Sequence, residues 1–168
     1  MRKMKEIILI PALISLALPL SAIDNPPPMK EGLWSITTQT ISNPAGTKIE
    51  GSYSLCRNHA YDDKIHARTK AMKGCTVVKE TLEGGKYTLV SHCEVPNMVY
   101  DTNAVATIDG DTSSHMESHT TYKPPMRGIE ETTMIMDQKY VGACPADMQP
   151  GERMDKDGKV IHLGKPAN

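Results

Sequence analysis

The sequence contains no phenylalanine and only one tryptophan, Trp34, alongside six tyrosines. A core this poor in aromatic volume has few large anchors, so Trp34 is expected at its centre, with aliphatic and methionine side chains filling around it. Neither sign of charge dominates, since the net charge is −1. No basic patch with interleaved aromatics occurs either, which argues against nucleic acid as a partner. Past residue 20 there is no long apolar run, and no internal repeat is visible. Several catalytic signatures are also missing: Gly-x-Ser-x-Gly, a phosphate-cradling glycine loop, His-Glu-x-x-His and Cys-x-x-Cys.

What is present begins with the first 22 residues. Arg2, Lys3 and Lys5 give a basic start, residues 7–20 are apolar apart from Pro11, Ser15 and Pro19, and Ser21-Ala22 supplies small residues for cleavage. This is the layout of a cleaved secretory signal. The apolar stretch is short for a membrane helix, and its two prolines weaken it further. No stable membrane span is therefore expected once the signal is removed. Removing residues 1–22, of net charge +2, from a chain of net charge −1 leaves 146 residues at −3, enough for one domain with one core. Residues 23–28, ending in Asn25-Pro26-Pro27-Pro28, read as a stiff lead-in.

Export gives meaning to the cysteines. Cys56, Cys75, Cys93 and Cys144 all lie beyond the signal, an even number in an oxidising compartment. Residues 75–82 and 86–93 are rich in Val, Thr, Tyr and Leu and flank Glu83-Gly84-Gly85, a hairpin signal. With a three-residue loop, Leu82 faces Lys86 and Cys75 falls opposite Cys93, close enough to be bridged. A two-residue Gly-Gly turn would instead set Cys75 against Glu94. If Cys75 takes Cys93, Cys56 is left with Cys144.

Residues 32–41 and 47–56 form another predicted hairpin around Asn43-Pro44-Ala45-Gly46. Its register pairs Trp34 with Leu55 and Ile36 with Tyr53 on one face, which makes these four the expected structural core. Residues 58–73 read as a short helix capped by Asn58. Asp62 and Asp63 fall early, Arg68, Lys70 and Lys73 late, and its apolar face of Tyr61, Ile65 and Met72 is thin. Residues 103–108 and 112–122 make a third hairpin around Asp109-Gly110-Asp111. Lys123-Pro124-Pro125 is expected to end that strand, and residues 129–141 make the last one. The predicted fold is mainly β: an antiparallel meander of about seven strands, forming a curled sheet or barrel, with one short helix between strands 2 and 3. Residues 29–144 are the disulfide-stapled domain, and residues 145–168 are read as a polar flexible tail.

These segments resemble a known family. "MKEGLW" at 29–34, "SYSLC" ending at Cys56, "GCTV" at 74–77, "SHC" at 91–93 and "YVGAC" at 140–144 follow the pattern of the small exported bacterial proteins called domain of unknown function 3617. The resemblance spans about residues 29–144 and implies a periplasmic address, mostly in Gram-negative bacteria. It brings no established activity, catalytic residue or cofactor.

The most metal-like stretch is His115-Met116-Glu117-Ser118-His119. On a strand, His115 and His119 stand ~13 Å apart and cannot share one zinc. His115 with Glu117, or Glu117 with His119, can share an ion only with help from a neighbouring strand. The methionines, Met116, Met134 and Met136 among them, together with histidine suit copper(I), although methionine is also an adaptable core filler. Asp155-Lys156-Asp157-Gly158 opens like a calcium loop but has Pro166 where the glutamate belongs. No catalytic residue and no cofactor are indicated. The expected function is a non-catalytic periplasmic β-domain that binds a small amphipathic ligand or an envelope protein. A copper- or zinc-binding envelope protein is the alternative, and a hydrolase with an unrecognised active site the second.

Overall fold

The computed structural model of the protein describes residues 26–162. The expected signal at 1–22, the start of the lead-in and residues 163–168 lie outside the described residues. In chain order the elements are β1 (Gly32–Asn43), β2 (Thr47–Arg57), α1 (His59–Lys70), β3 (Cys75–Glu83), β4 (Lys86–Val95), β5 (Met98–Asp109), β6 (Ser113–Met126), β7 (Ile129–Gly142), β8 (Arg153–Met154) and β9 (Val160–Ile161). They form one antiparallel sheet in the order β3-β4-β5-β6-β7-β1-β2-β8-β9, and the sheet is open rather than a closed barrel.

The β1–β2 hairpin has the predicted register, with Trp34 opposite Leu55 and Ile36 opposite Tyr53 across the loop at 43–46. The β3–β4 hairpin reaches the predicted cysteine pairing by another route. Its turn has two residues, Gly84 and Gly85 at φ 56° and 78°, so Leu82 faces Tyr87 and not Lys86. Left uninterrupted, that register would carry Cys75 past Cys93. A bulge at Val78 absorbs one residue, and Cys75 ends opposite Cys93. Both disulfides form, Cys75–Cys93 and Cys56–Cys144, with Cα separations of 3.9 and 5.6 Å.

Two strand ends differ from expectation. Lys123-Pro124-Pro125 does not end β6, which continues to Met126. The β6–β7 ladder breaks between Thr121 and Met126, so the prolines sit where no amide has to donate to β7. The strand count is nine instead of seven because the polar stretch after Cys144 adds β8 and β9 beside β2. Within it Met148 is buried, the Cys56 amide donates to the Glu152 carbonyl at 3.1 Å, and the Gly151 amide donates to the Cys56 carbonyl at 2.7 Å.

The core gathers at this end of the sheet. Trp34 and Ile36 are almost completely buried, Leu55 and Met29 nearly so, and Tyr53, Met136 and Tyr140 pack against them. The Trp34 indole N–H donates to the Lys30 carbonyl at 2.9 Å. Its ring meets Tyr140 edge-on at 6.1 Å and carries the Arg57 guanidinium 4.9 Å above it. Elsewhere the inner face of the sheet is only half-buried.

The one long crossing is β2 to β3, made through α1. Six strand spacings separate these strands, roughly 29 Å if the sheet were flat, against about 18 Å for a 12-residue helix. Helix α1 and residues 71–74 together make the crossing over one face of the sheet, and a hollow is left between helix and sheet.

Candidate functional site

Helix α1 starts where its sequence says it should. The Asn58 side chain accepts a hydrogen bond from the Tyr61 amide at 2.8 Å, Asp62 lies in the first turn, and Arg68 and Lys70 lie in the last. The face it turns inward is unusual. His59, Asp62, Asp63 and His66, at the i, i+3, i+4, i+7 spacing of a single helical stripe, line a cavity of about 380 Å³. Ile65 and Met72, expected on the apolar face, are exposed instead.

The floor of the cavity is the inner face of the sheet. Tyr87 faces Ala106 across β4 and β5, and Ser114 stands between Ile108 on β5 and Gln138 on β7, so the ladder aligns all five on one side. Pro26, Pro27 and Met29 close one end. That segment is fastened by the Lys30 amide donating to the Asp111 backbone carbonyl at 2.9 Å and by the His59 ring at 3.1 Å from the Met29 carbonyl. The result is a mainly apolar floor, with Ser114 and Gln138 as its polar members, under a titratable roof.

Most of the roof is already paired. Arg57, at the end of β2, donates to Asp62 at 2.9 Å and to Gln138 at 2.9 Å. The His59 amide donates to Glu31 at 3.0 Å, and its ring lies 3.5 Å from the same carboxylate. Glu80 on β3 accepts from the Tyr87 hydroxyl at 2.6 Å and pairs with His66 at 3.3 Å and Lys70 at 2.9 Å. Burial opposes ionisation of Glu80, but the hydrogen bonds from Tyr87 and Lys70 and the charges of Lys70 and His66 outweigh it and hold the carboxyl below the usual glutamate range. Burial, reinforced by the bond to Glu80, pushes the Tyr87 phenol up. The Asp63 carboxylate has no hydrogen-bond or ion-pair partner among the described residues.

The metal candidates lie elsewhere. His115, Glu117 and His119 are exposed on the outer face of β6. A neighbouring strand does help, but by pairing with them: His115 Nδ1 is 2.7 Å from Asp137 and its Nε2 3.5 Å from Glu117, while His119 Nε2 is 3.4 Å from Glu131. The pleat sends Met116, opposite Met136 in the ladder, to the inner face, away from the histidines on either side of it. The mixed histidine–methionine donor set is therefore not gathered. Among the described residues, no three His, Cys, Asp or Glu side chains form a group that could hold a metal ion. All four cysteines are in disulfides, so none is a free thiol. No helix among the described residues is long and apolar enough to cross a membrane.

Sequence reading missed the cavity. Its only trace was the spacing of His59, Asp62, Asp63 and His66 behind the Asn58 cap, a polar stripe on a helix whose apolar stripe was too thin to dock it.

No curated protein sequence matches the chain. A family model does, over residues 29–144, from the buried Met29 to the second cysteine of the Cys56–Cys144 bridge. Its two ends meet in space. Leu33 and Gly142, near the termini of the matched region, pair beside the core, and a side chain at the adjacent Gly32 would strike the Gly142 carbonyl. The chain belongs to the family described as protein of unknown function DUF3617.

Proposed function

We propose that this protein is a non-catalytic, exported binding protein that takes up a small amphipathic molecule in the cavity between α1 and the sheet. The observation that carries the reading is the division of the cavity wall. Tyr87, Ala106, Ile108 and Met29 offer an apolar bed, and the His59–Asp62–Asp63–His66 stripe offers polar groups opposite. A volume of about 380 Å³ falls within the range of small-molecule sites. The basic and apolar start of the chain, with two disulfides, supports a periplasmic address.

The test is native mass spectrometry of protein purified from the periplasm, joined to titration with the neutral apolar dye N-phenyl-1-naphthylamine. A retained small-molecule adduct, or saturable dye binding abolished by Ile108→Glu, is the expected result. A clean unliganded mass together with no saturable dye binding would refute it.

A further inference from the structure

The charges around the cavity point to the kind of head group it takes, an inference that rests on the ligand reading above. Among the wall residues, Arg57 is the only permanently cationic side chain, and it is committed three ways: to Asp62 at 2.9 Å, to Gln138 at 2.9 Å and to the face of Trp34 at 4.9 Å. His59 lies against Glu31 and His66 against Glu80, so each histidine already faces a carboxylate. Among the described residues, this leaves the Asp63 carboxylate as the wall charge with no counter-charge.

An anionic head group entering beside α1 would find Arg57 occupied and would meet Asp62 and Asp63 as like charges. A neutral head offers Asp63 a hydrogen bond at most and no counter-charge. A cation would complete the one unmatched charge on the roof while its apolar part lies on Ile108 and Ala106. We propose that the ligand is a cationic amphiphile, with an ammonium-type head held by Asp63 and an apolar body on the sheet floor. Asp63 is exposed, so solvent and salt screen the attraction and the preference is strongest at low ionic strength.

The experiment uses the full exported protein carrying bound N-phenyl-1-naphthylamine. The dye is displaced at low salt by three dodecyl compounds below their micelle concentrations, with trimethylammonium, sulfate and maltoside heads. The trimethylammonium compound is expected to displace the dye at about tenfold lower concentration than the sulfate. Asp63→Asn should bring the two within about twofold, Asp63→Glu should restore the gap, and neither should move the maltoside. Trp34 emission confirms that each variant is folded. If the sulfate competes as well as the trimethylammonium compound, or if Asp63→Asn leaves the preference intact, the head-group assignment is overturned while the binding reading stands. If the dye neither binds nor is displaced, the binding reading fails, and this inference fails with it.

Discussion

Trp34 joins the core to the cavity roof. It has no exposed surface, donates to the Lys30 carbonyl, packs edge-on against Tyr140 and supports the Arg57 guanidinium that closes the cavity roof. In a chain without phenylalanine nothing nearby can substitute for its volume. Trp34→Ala is expected to cost about 3–5 kcal/mol in urea unfolding followed by far-UV circular dichroism. A cost below about 1 kcal/mol would mean the anchor lies elsewhere. The outer-face histidines make a separate residue-scale prediction. The Asp101 hydrogen bond, at 2.6 Å, and then the Glu94 contact raise the pKa of His92, and the Asp137 bond raises that of His115. A folded-state pKa raised in this way contributes stability that is complete below the ordinary histidine value, about 6.5, and is lost as the pH climbs through the raised one. NMR titration should place both imidazoles above that ordinary value. Asp101→Asn should lower His92 and leave His115 where it was, and an unmoved His92 midpoint would show that the pair does not form in solution.

Helix α1 has no buried residue of its own, so its position depends on polar contacts more than on an apolar face. Glu80 is the main one, joining Tyr87 on the sheet to His66 and Lys70 on the helix with its side chain 14% exposed. Its carboxyl is held below the usual glutamate range, so its contribution is present above that range and is lost as the pH falls through the depressed value. Glu80→Gln is expected to cost about 1–3 kcal/mol at neutral pH, with the gap to the parent protein closing below about pH 4. A gap independent of pH would rule out an ionic latch. The same element shows where sequence reasoning ends. The β1–β2 register was legible because Asn43-Pro44-Ala45-Gly46 fixes the loop and the Trp34–Leu55 and Ile36–Tyr53 pairs agree with it. The Cys75–Cys93 pairing was legible only in its outcome. A two-residue turn and a bulge at Val78 together give the alignment that a three-residue loop alone predicts, and no local signal in Val77-Val78-Lys79 marks the bulge. The cavity left only the polar stripe of His59, Asp62, Asp63 and His66 as a trace. It exists because β7 returns to β1 while α1 crosses between distant strands, and a nonlocal arrangement of that kind is not read from the periodicity of one segment.

Across the whole molecule, the open sheet is held at both of its weak places by covalent links. Cys75–Cys93 ties β3, an edge strand, to β4. Cys56–Cys144 joins the ends of β2 and β7 around the core strand β1. The two bridges close chain separations of 18 and 88 residues, for which chain entropy suggests roughly 3 and 4.5 kcal/mol. The second bridge needs a cover, and the segment after Cys144 provides it. Met148 is buried, Gly151 lies against the Tyr61 ring, and the backbone of residues 151–152 bonds both the amide and the carbonyl of Cys56. Truncation after Cys144 is therefore expected to cost at least about 2 kcal/mol, from lost apolar burial and from two exposed backbone hydrogen bonds. Urea midpoints of the truncated and full chains, both oxidised, measure it, and equal midpoints would make the segment a passenger. Because no described residue beyond Gln138 lines the cavity, truncated protein that remains folded should bind N-phenyl-1-naphthylamine as the full chain does. A joint loss of stability and binding would instead show that the terminal strands hold the sheet arrangement on which the cavity depends.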